Sequence, residues 1–166
     1  MTRTDRFRDV FGIGFAAMLA WVLWIQASAL HAAPSAWRDQ ASGFAIAGYD
    51  PVAYHTHSKA SLGKGGLEHR WGGAVWQFLS VGNRDAFAAH PQIYAPRFAG
   101  YDAHALSKGL TVRGKPSVWA MYNARVYLFR DAPSLRAWRR DPEKIITMAR
   151  ANWLRLGGNL PGTSEW

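Results

Sequence analysis

The feature that most constrains this fold is a run over residues 48–94 in which turn, strand and helix signals follow one another directly. Its first signal is Pro51, because the residue before a proline avoids the helical region and adopts an extended or turn conformation. Residues 67–70 and 74–80 then predict a β-hairpin. Two of the residues between these strands are glycines, which permit the positive φ angles that tight hairpin turns need. The run therefore predicts one compact turn–hairpin–helix unit.

Elements of the same kinds recur later in the chain. Asn83 is a good amino-terminal cap and predicts a short helix over residues 84–90. Residues 118–122 and 126–129 predict a second hairpin, and residues 143–156 predict a long amphipathic helix. Two hairpin-then-helix units thus succeed one another, although no internal repeat of fixed period is evident. The sequence predicts a small single α+β domain with two antiparallel β-hairpins and several helices.

The amino-terminal segment predicts export from the cytoplasm. Arginines precede an uncharged apolar run over residues 10–30, and small residues end it, which is the pattern of a signal peptide. An uncleaved membrane anchor is the alternative, because the run is close to the ~20 residues that span a bilayer. We expect a signal peptide or anchor at 1–33, a linker at 34–42, the domain at 43–161 and a tail at 162–166. The domain is expected to be periplasmic or secreted, or else anchored outside the cytoplasm, with membrane contact only through the uncleaved segment.

The amino-acid composition excludes several kinds of chemistry for this protein. The 166 residues include no cysteine, so disulfides, thiolate metal ligands and thiol redox chemistry are excluded. An exported domain without disulfides must be held by packing, and tryptophans supply large apolar surfaces for that purpose. The formal net charge is +9. Because an exported protein rarely meets nucleic acid, we expect no nucleic-acid partner and consider an anionic envelope component or an acidic protein instead. A solvated basic surface that aids solubility is the simpler alternative.

Several spaced motifs in the chain resemble the YHS domain family, in its secreted bacterial branch. They are Asp50-Pro51-Val52, the Trp76-x-Phe78-x-Ser80 strand, Phe87 with Pro91 and Tyr94, Gly100-Tyr101, and Ala151-Asn152-Trp153. The resemblance covers residues 43–161 and implies a small metal-associated or ligand-binding module. The positions that match the family's metal-binding cysteines hold other residues in this chain: Ala53, Leu79, Asn83 and, for the exported branch, Asp102. Thiolate metal capture therefore does not transfer to this protein.

Four residues predict an alternative metal site with nitrogen and oxygen donors: His55, His57, Asp102 and His104. On an extended strand, two histidines separated by one residue point to the same side, which suits chelation of copper, zinc or nickel. Asp102 and His104 have the same separation and contribute a carboxylate and a third imidazole. The alternative is that the histidines lie on solvated surface loops and bind nothing.

A second set of candidate residues is expected to bind a small ligand: Tyr49, Asp50 and Tyr101. The resemblance, rather than their spacing, implies that they lie near a shared pocket in which they orient a polar molecule. For Asp50 the alternative is structural, because an aspartate in a turn most often hydrogen-bonds its own neighbouring backbone.

No recognisable enzyme signature is present in the sequence. It contains no Gly-x-Ser-x-Gly elbow, no phosphate-binding glycine loop and no His-Glu-x-x-His pair, so no catalytic residues are predicted. The sequence favours an exported, non-enzymatic binding module for a transition metal or a small ligand. The alternative is a structural or interaction protein of the cell envelope that uses a basic surface.

Overall fold

The computed structural model describes residues 37–156, so the predicted signal or anchor segment lies outside the described part. The strands are β1 (Glu68–Trp71), β2 (Ala74–Gln77), β3 (Lys115–Tyr122) and β4 (Arg125–Phe129). The α-helices are α1 (Ala53–Thr56), α2 (Val81–Ala89), α3 (Pro91–Tyr94), α4 (Ala103–Ser107), α5 (Ala132–Arg140) and α6 (Pro142–Arg155). Two 3₁₀ segments, Ile46–Gly48 and Arg97–Gly100, precede α1 and α4. None of the helices in residues 37–156 has the length and apolar character that crossing a membrane would need.

Both predicted hairpins form. β1 pairs with β2 and β3 pairs with β4, each antiparallel, so the predicted α+β class is confirmed. The first hairpin turns at Gly72 and Gly73, with φ of 58° and 75°, and the second at Asn123 and Ala124, with φ of 49° and 54°. Positive φ at both central residues matches the right-handed twist of the flanking strands. Each turn therefore fixes the register of its own hairpin.

Each hairpin is preceded by the same unusual turn. The φ angles of Ile46, Ala47 and Gly48 are 43°, 55° and 74°, and those of Phe98, Ala99 and Gly100 are 53°, 54° and 82°. Successive left-handed residues are rare, because this region costs an L-residue about 1–2 kcal/mol. After each turn the glycine carbonyl accepts a backbone hydrogen bond from a later glycine, Gly63 in the first case (2.9 Å) and Gly114 in the second (3.0 Å). The same strained turn thus occurs twice, each time with a later glycine as its hydrogen-bond partner. This recurrence indicates an internal structural repeat.

The repeat continues through the aromatic core. Phe87 of α2 packs against Trp76 and Phe78, with ring centroids 5.1 Å apart in both pairs. Trp138 of α5 packs in the same way against two aromatic residues of β4, at 5.6 and 5.3 Å. In each unit the two strand-side aromatics are separated by one residue, so both face the helix that follows. The domain is therefore built from two turn–hairpin–helix units, each with its own aromatic cluster.

The helix that follows each hairpin begins at a polar cap. α2 starts at Val81, and the Ser80 hydroxyl accepts a hydrogen bond from the backbone N–H of Asn83 (3.1 Å). The prediction that Asn83 caps this helix is therefore wrong, because Ser80 occupies that position three residues earlier. In the second unit Asp131 caps α5 and accepts from the backbone N–H of Ser134 (2.8 Å).

The last helix, α6, is tied to the second unit by a buried amide. Asn152 is 8% exposed and donates hydrogen bonds to the carbonyls of Leu106 (2.8 Å) and Ser107 (3.0 Å) at the end of α4. The Leu106 carbonyl also accepts from the backbone N–H of Gly109 (2.9 Å), so the amide adds a second donor there and joins the end of α4 to α6. A different bond joins the two units, because the Tyr54 hydroxyl donates to the carbonyl of Pro116 (2.9 Å).

Candidate functional site

Asp50 is fully buried, and its carboxylate accepts hydrogen bonds on both oxygens. Oδ1 accepts from the backbone N–H groups of Val52 (2.8 Å) and Ala53 (3.3 Å) at the start of α1. Oδ2 accepts from the backbone N–H of Leu79 (2.7 Å) and from the side-chain amide of Asn83 (2.6 Å). The carboxylate thus holds the first turn, the end of the hairpin and α2 together. These contacts support the structural alternative for Asp50.

Asp102 has the same role in the second unit. It is fully buried, and its Oδ1 accepts from the backbone N–H of Ala105 (2.9 Å), which caps α4. Its Oδ2 accepts from the backbone N–H of Arg130 (2.8 Å), and the Ser134 hydroxyl donates to the carboxylate at 2.6–2.8 Å. As at Asp50, a backbone N–H from beyond the hairpin and a side chain from the following helix meet one buried carboxylate. Asp102 therefore has a structural role, because it joins three segments of the second unit by hydrogen bonds. Hydrogen-bond donors already surround the carboxylate oxygens that a metal would need.

The four residues predicted as metal ligands do not form a metal site in this structure. Within residues 37–156, no group of three or more His, Asp or Glu side chains is placed to hold a metal ion. The extended strand that would place the rings of His55 and His57 on one side is not formed, because His55 lies in α1 and His57 directly follows its last residue with helical backbone angles. Residues two apart on a helix do not face each other. Metal binding by fewer of these residues stays a prediction.

The two histidines of α1 have different surroundings. The His55 ring is half-buried and packs edge-on against Tyr94, with centroids 5.2 Å apart. Burial, and to a smaller extent the charge of Arg125, lowers the pKa of His55, so its neutral form is favoured. His57 is exposed, and its Nδ1 lies 2.8 Å from the Thr56 hydroxyl. The first ring therefore has a packing role, and the second faces solvent.

His104 lies beside the Asp102–Ser134 pair, and the three side chains are of the types that serine hydrolases use. His104 Nδ1 is 3.3 Å from Ser134 Oγ. The direction of the serine hydrogen bond is nevertheless unsuitable for nucleophilic catalysis. The Ser134 hydroxyl donates to the Asp102 carboxylate, whereas a catalytic serine donates to the histidine that will take its proton. Ser134 is also buried, in the first turn of α5. Burial, and next the nearby charge of Lys108, lowers the pKa of His104. The cluster is structural.

The predicted ligand-binding residues are only partly brought together. Tyr49 and Tyr101 stand at equivalent positions, each directly before its buried aspartate, and each forms an isolated antiparallel bridge, to Leu62 and Arg113 respectively. Tyr101 lines a cavity of about 400 Å³, whose lining includes neither Tyr49 nor Asp50. The pocket shared by Tyr49, Asp50 and Tyr101 stays a prediction, and we call the cavity that Tyr101 lines the tyrosine cavity.

The tyrosine cavity has an aromatic wall and a charged rim. Its main lining residues are Trp37, Arg38, Asp39, Gln40, Tyr101 and Arg113. The Trp37 indole N–H donates to the carbonyl of Gly100 (2.9 Å), and the Arg113 guanidinium carbon lies 5.7 Å from the Trp37 ring centroid. Asp39 orders the neighbouring turn, and the backbone N–H of Ser42 is the main cause that keeps its pKa below the usual range. The Trp37 indole is thus held in place by its hydrogen bond to Gly100, and the Arg113 guanidinium lies over its ring.

A second cavity, also of about 400 Å³, is lined by residues that the sequence analysis did not single out. Its chemistry-bearing residues are Arg97, Tyr122, Arg125, Tyr127, Glu143 and Arg150. They come from the 3₁₀ segment before α4, from the second hairpin and from α6, so no local motif joins them. The net charge of +9 was the only signal in the sequence that pointed to such a basic site.

Comparison with known proteins gives no match to this chain. No family model matches it, and no curated protein or solved structure shows significant similarity to it. The resemblance to YHS domains therefore rests on the spaced sequence motifs.

Proposed function

We propose that the protein is an exported, non-enzymatic binding module of the YHS type that holds a small polar ligand in the tyrosine cavity. The observation that carries the proposal is the wall of this cavity, in which the partly exposed ring of Tyr101 lies with the Arg113 guanidinium that covers Trp37. Its volume of about 400 Å³ is in the usual range for small-molecule sites, which combine apolar faces with a few polar groups. Export rests on the amino-terminal pattern of the sequence.

The surroundings of Asp50 support the assignment to the YHS type. Ala53, Leu79 and Asn83 hold the positions that match the family's cysteines, and each donates a hydrogen bond to this one carboxylate. Residues that form a ligand set in one protein must be close together, and here these three are. None of them is a thiolate, and both oxygens of the Asp50 carboxylate already accept hydrogen bonds from the protein. A small ligand is therefore favoured over a transition metal.

The test is binding of small molecules to the mature protein, purified without a histidine tag. We expect members of a panel of small polar metabolites to raise the midpoint of thermal unfolding, since a ligand stabilises the state that binds it. Arg113→Ala should abolish that shift. Arg70→Ala is the matched control, because Arg70 is exposed on β1 and lines neither cavity. Titration with copper, zinc and nickel salts is the second arm. Tight stoichiometric metal binding, or equal shifts in both variants, would refute the proposal.

A second candidate function is supported by the exposed face of α5. Arg136, Arg139 and Arg140 are exposed there, and their spacing places them along one side of the helix. Such a face suits an anionic envelope component or an acidic protein. The test is co-sedimentation with isolated envelope at low and high salt, because surface charge interactions are screened by salt. Replacing the three arginines by alanine should remove the salt-sensitive binding, and an unchanged level would count against this candidate.

A further inference from the structure

Three arginines surround the second cavity of the domain, which we call the arginine cavity. Arg97 comes from the 3₁₀ segment before α4, Arg125 from the start of β4 and Arg150 from α6. Tyr122, Tyr127 and Glu143 are among the other polar residues of the wall. We propose that the arginine cavity binds the phosphoryl group of a small ligand or of a lipid headgroup. This inference goes beyond the proposed function, because it concerns a different cavity and different residues.

Like charges are concentrated around the arginine cavity. Arg97 is 5% exposed, Arg125 is half-buried, and Arg150 lies at the exposed rim. Guanidinium groups gathered around one cavity repel each other, and more strongly where bulk water is excluded. Burial lowers the pKa of Arg97 to about 10; Tyr127 opposes this effect, and the charges of Arg150 and Arg125 add to it. A bound anion would reverse the repulsion.

The lining of the arginine cavity carries little negative charge. Glu143 is the one carboxylate among the lining residues, and its Oε1 accepts a hydrogen bond from the Tyr122 hydroxyl (2.9 Å). The ion pairs within residues 37–156 are Arg84–Asp85 and Arg130–Asp131. Arg125 and Arg150 therefore have no carboxylate in contact in the described part. Three guanidinium groups face one carboxylate, so the lining as a whole is positive.

The hydrogen-bond donors of the arginine cavity match a phosphoryl group. A guanidinium is a planar fork of N–H donors that fits phosphate and carboxylate oxygens in pairs. Several guanidinium groups, with the Tyr127 hydroxyl beside them, can serve more oxygens than a single carboxylate offers, which favours a phosphoryl group. The volume of about 400 Å³ exceeds what one inorganic phosphate fills, so the ligand is expected to carry an organic part as well.

The experiment is a titration of the mature protein with inorganic phosphate, and then with glycerol 1-phosphate, by isothermal calorimetry. Arg150→Ala should weaken phosphate binding about tenfold or more, the loss expected for a charge-assisted hydrogen bond. Arg150→Lys should also weaken it, because lysine keeps the charge and loses the planar fork. Arg70→Ala and Arg113→Ala should bind as the wild type does, which separates this site from the tyrosine cavity. Circular dichroism verifies that each variant is folded.

Vesicles distinguish the two sources of the phosphoryl group. If it belongs to a lipid headgroup, Arg150→Ala will sediment less with phosphatidylglycerol vesicles than Arg70→Ala, and inorganic phosphate will compete. If the ligand is free, the two variants will sediment equally while their phosphate affinities still differ. The inference is overturned if the wild type binds no phosphate in the millimolar range. It is also overturned if Arg150→Ala and Arg70→Ala lose affinity to the same extent, because binding would then reflect net charge alone.

Discussion

Asp102→Asn is the substitution that best separates a structural carboxylate from a ligand-binding one. The two side chains have the same shape, but asparagine replaces one carboxylate oxygen by an NH₂ group. In the wild type, one oxygen accepts from the backbone N–H of Ala105 and the other from that of Arg130. Whichever way the amide is turned, its NH₂ therefore faces a backbone donor. One buried N–H must lose its partner.

The loss of stability in Asp102→Asn can be estimated from the hydrogen bonds that the carboxylate accepts. Leaving a buried donor without a partner costs about 1–3 kcal/mol, and the remaining bonds to Asp102 lose the strengthening that a charged acceptor provides. Together these effects predict a loss of about 3–4 kcal/mol in the free energy of unfolding, a large share of the ~5–15 kcal/mol that stabilises a typical domain. Asp50→Asn should behave alike, because it is the equivalent residue in the first unit.

The assay is urea denaturation of the mature, metal-free protein, followed by circular dichroism. Asp85→Asn is the matched control, since it removes the same charge from an exposed ion pair with Arg84 and should cost at most about 0.5 kcal/mol. A difference below about 1 kcal/mol between Asp102→Asn and wild type would refute the structural role. The carboxylate would then have to be kept for a ligand.

Three further predictions concern packing, pH and targeting. Gly114→Ala should cost about 1–3 kcal/mol, because the added Cβ would lie 2.5 Å from a side-chain carbon of β4, whereas Gly65→Ala meets nothing and should be neutral. Stability should be full above pH ~6.5 and fall as the pH drops below it, since the folded state lowers the pKa of His55 and His104 and the unfolded chain takes up protons more readily. The His55→Gln/His104→Gln double variant should flatten this dependence, and an unchanged pH profile would contradict the assignment. Finally, amino-terminal sequencing of the exported protein should show cleavage near Ala29 or within the next few residues, and a chain that begins with the initiator methionine would support the anchor.

The hairpins could be predicted from the sequence because their turns carry residues with unusual backbone needs. Two glycines mark the first turn, and Asn123 with Ala124 marks the second. The internal repeat could not be found in this way. Its two buried aspartates are identical, but one partner in each unit contributes only a backbone N–H, from Leu79 or Arg130, which places no demand on the side chain. Equivalent positions have therefore diverged in type.

The candidate sites were predicted less well than the fold. Tyr101 lines a cavity, but neither Tyr49 nor Asp50 does so with it, and the shared pocket stays a prediction. The chelating geometry considered for His55 and His57 required a strand where the chain forms a helix. Asp102 was considered as a ligand because a carboxylate can bind metal, and the sequence does not show that backbone donors enclose it. The arginine cavity was missed because residues far apart in sequence form it, and only the completed fold brings Arg97 next to α6.

The most direct test of small-ligand binding is native mass spectrometry of the mature, untagged protein, purified from the cells that naturally make it. We predict a stoichiometric mass excess from a non-metal small molecule, present in the wild type and in Arg70→Ala and absent from Arg113→Ala. A stoichiometric metal ion in place of that molecule, or identical spectra for the wild type and Arg113→Ala, would contradict the proposal that the tyrosine cavity is the binding site.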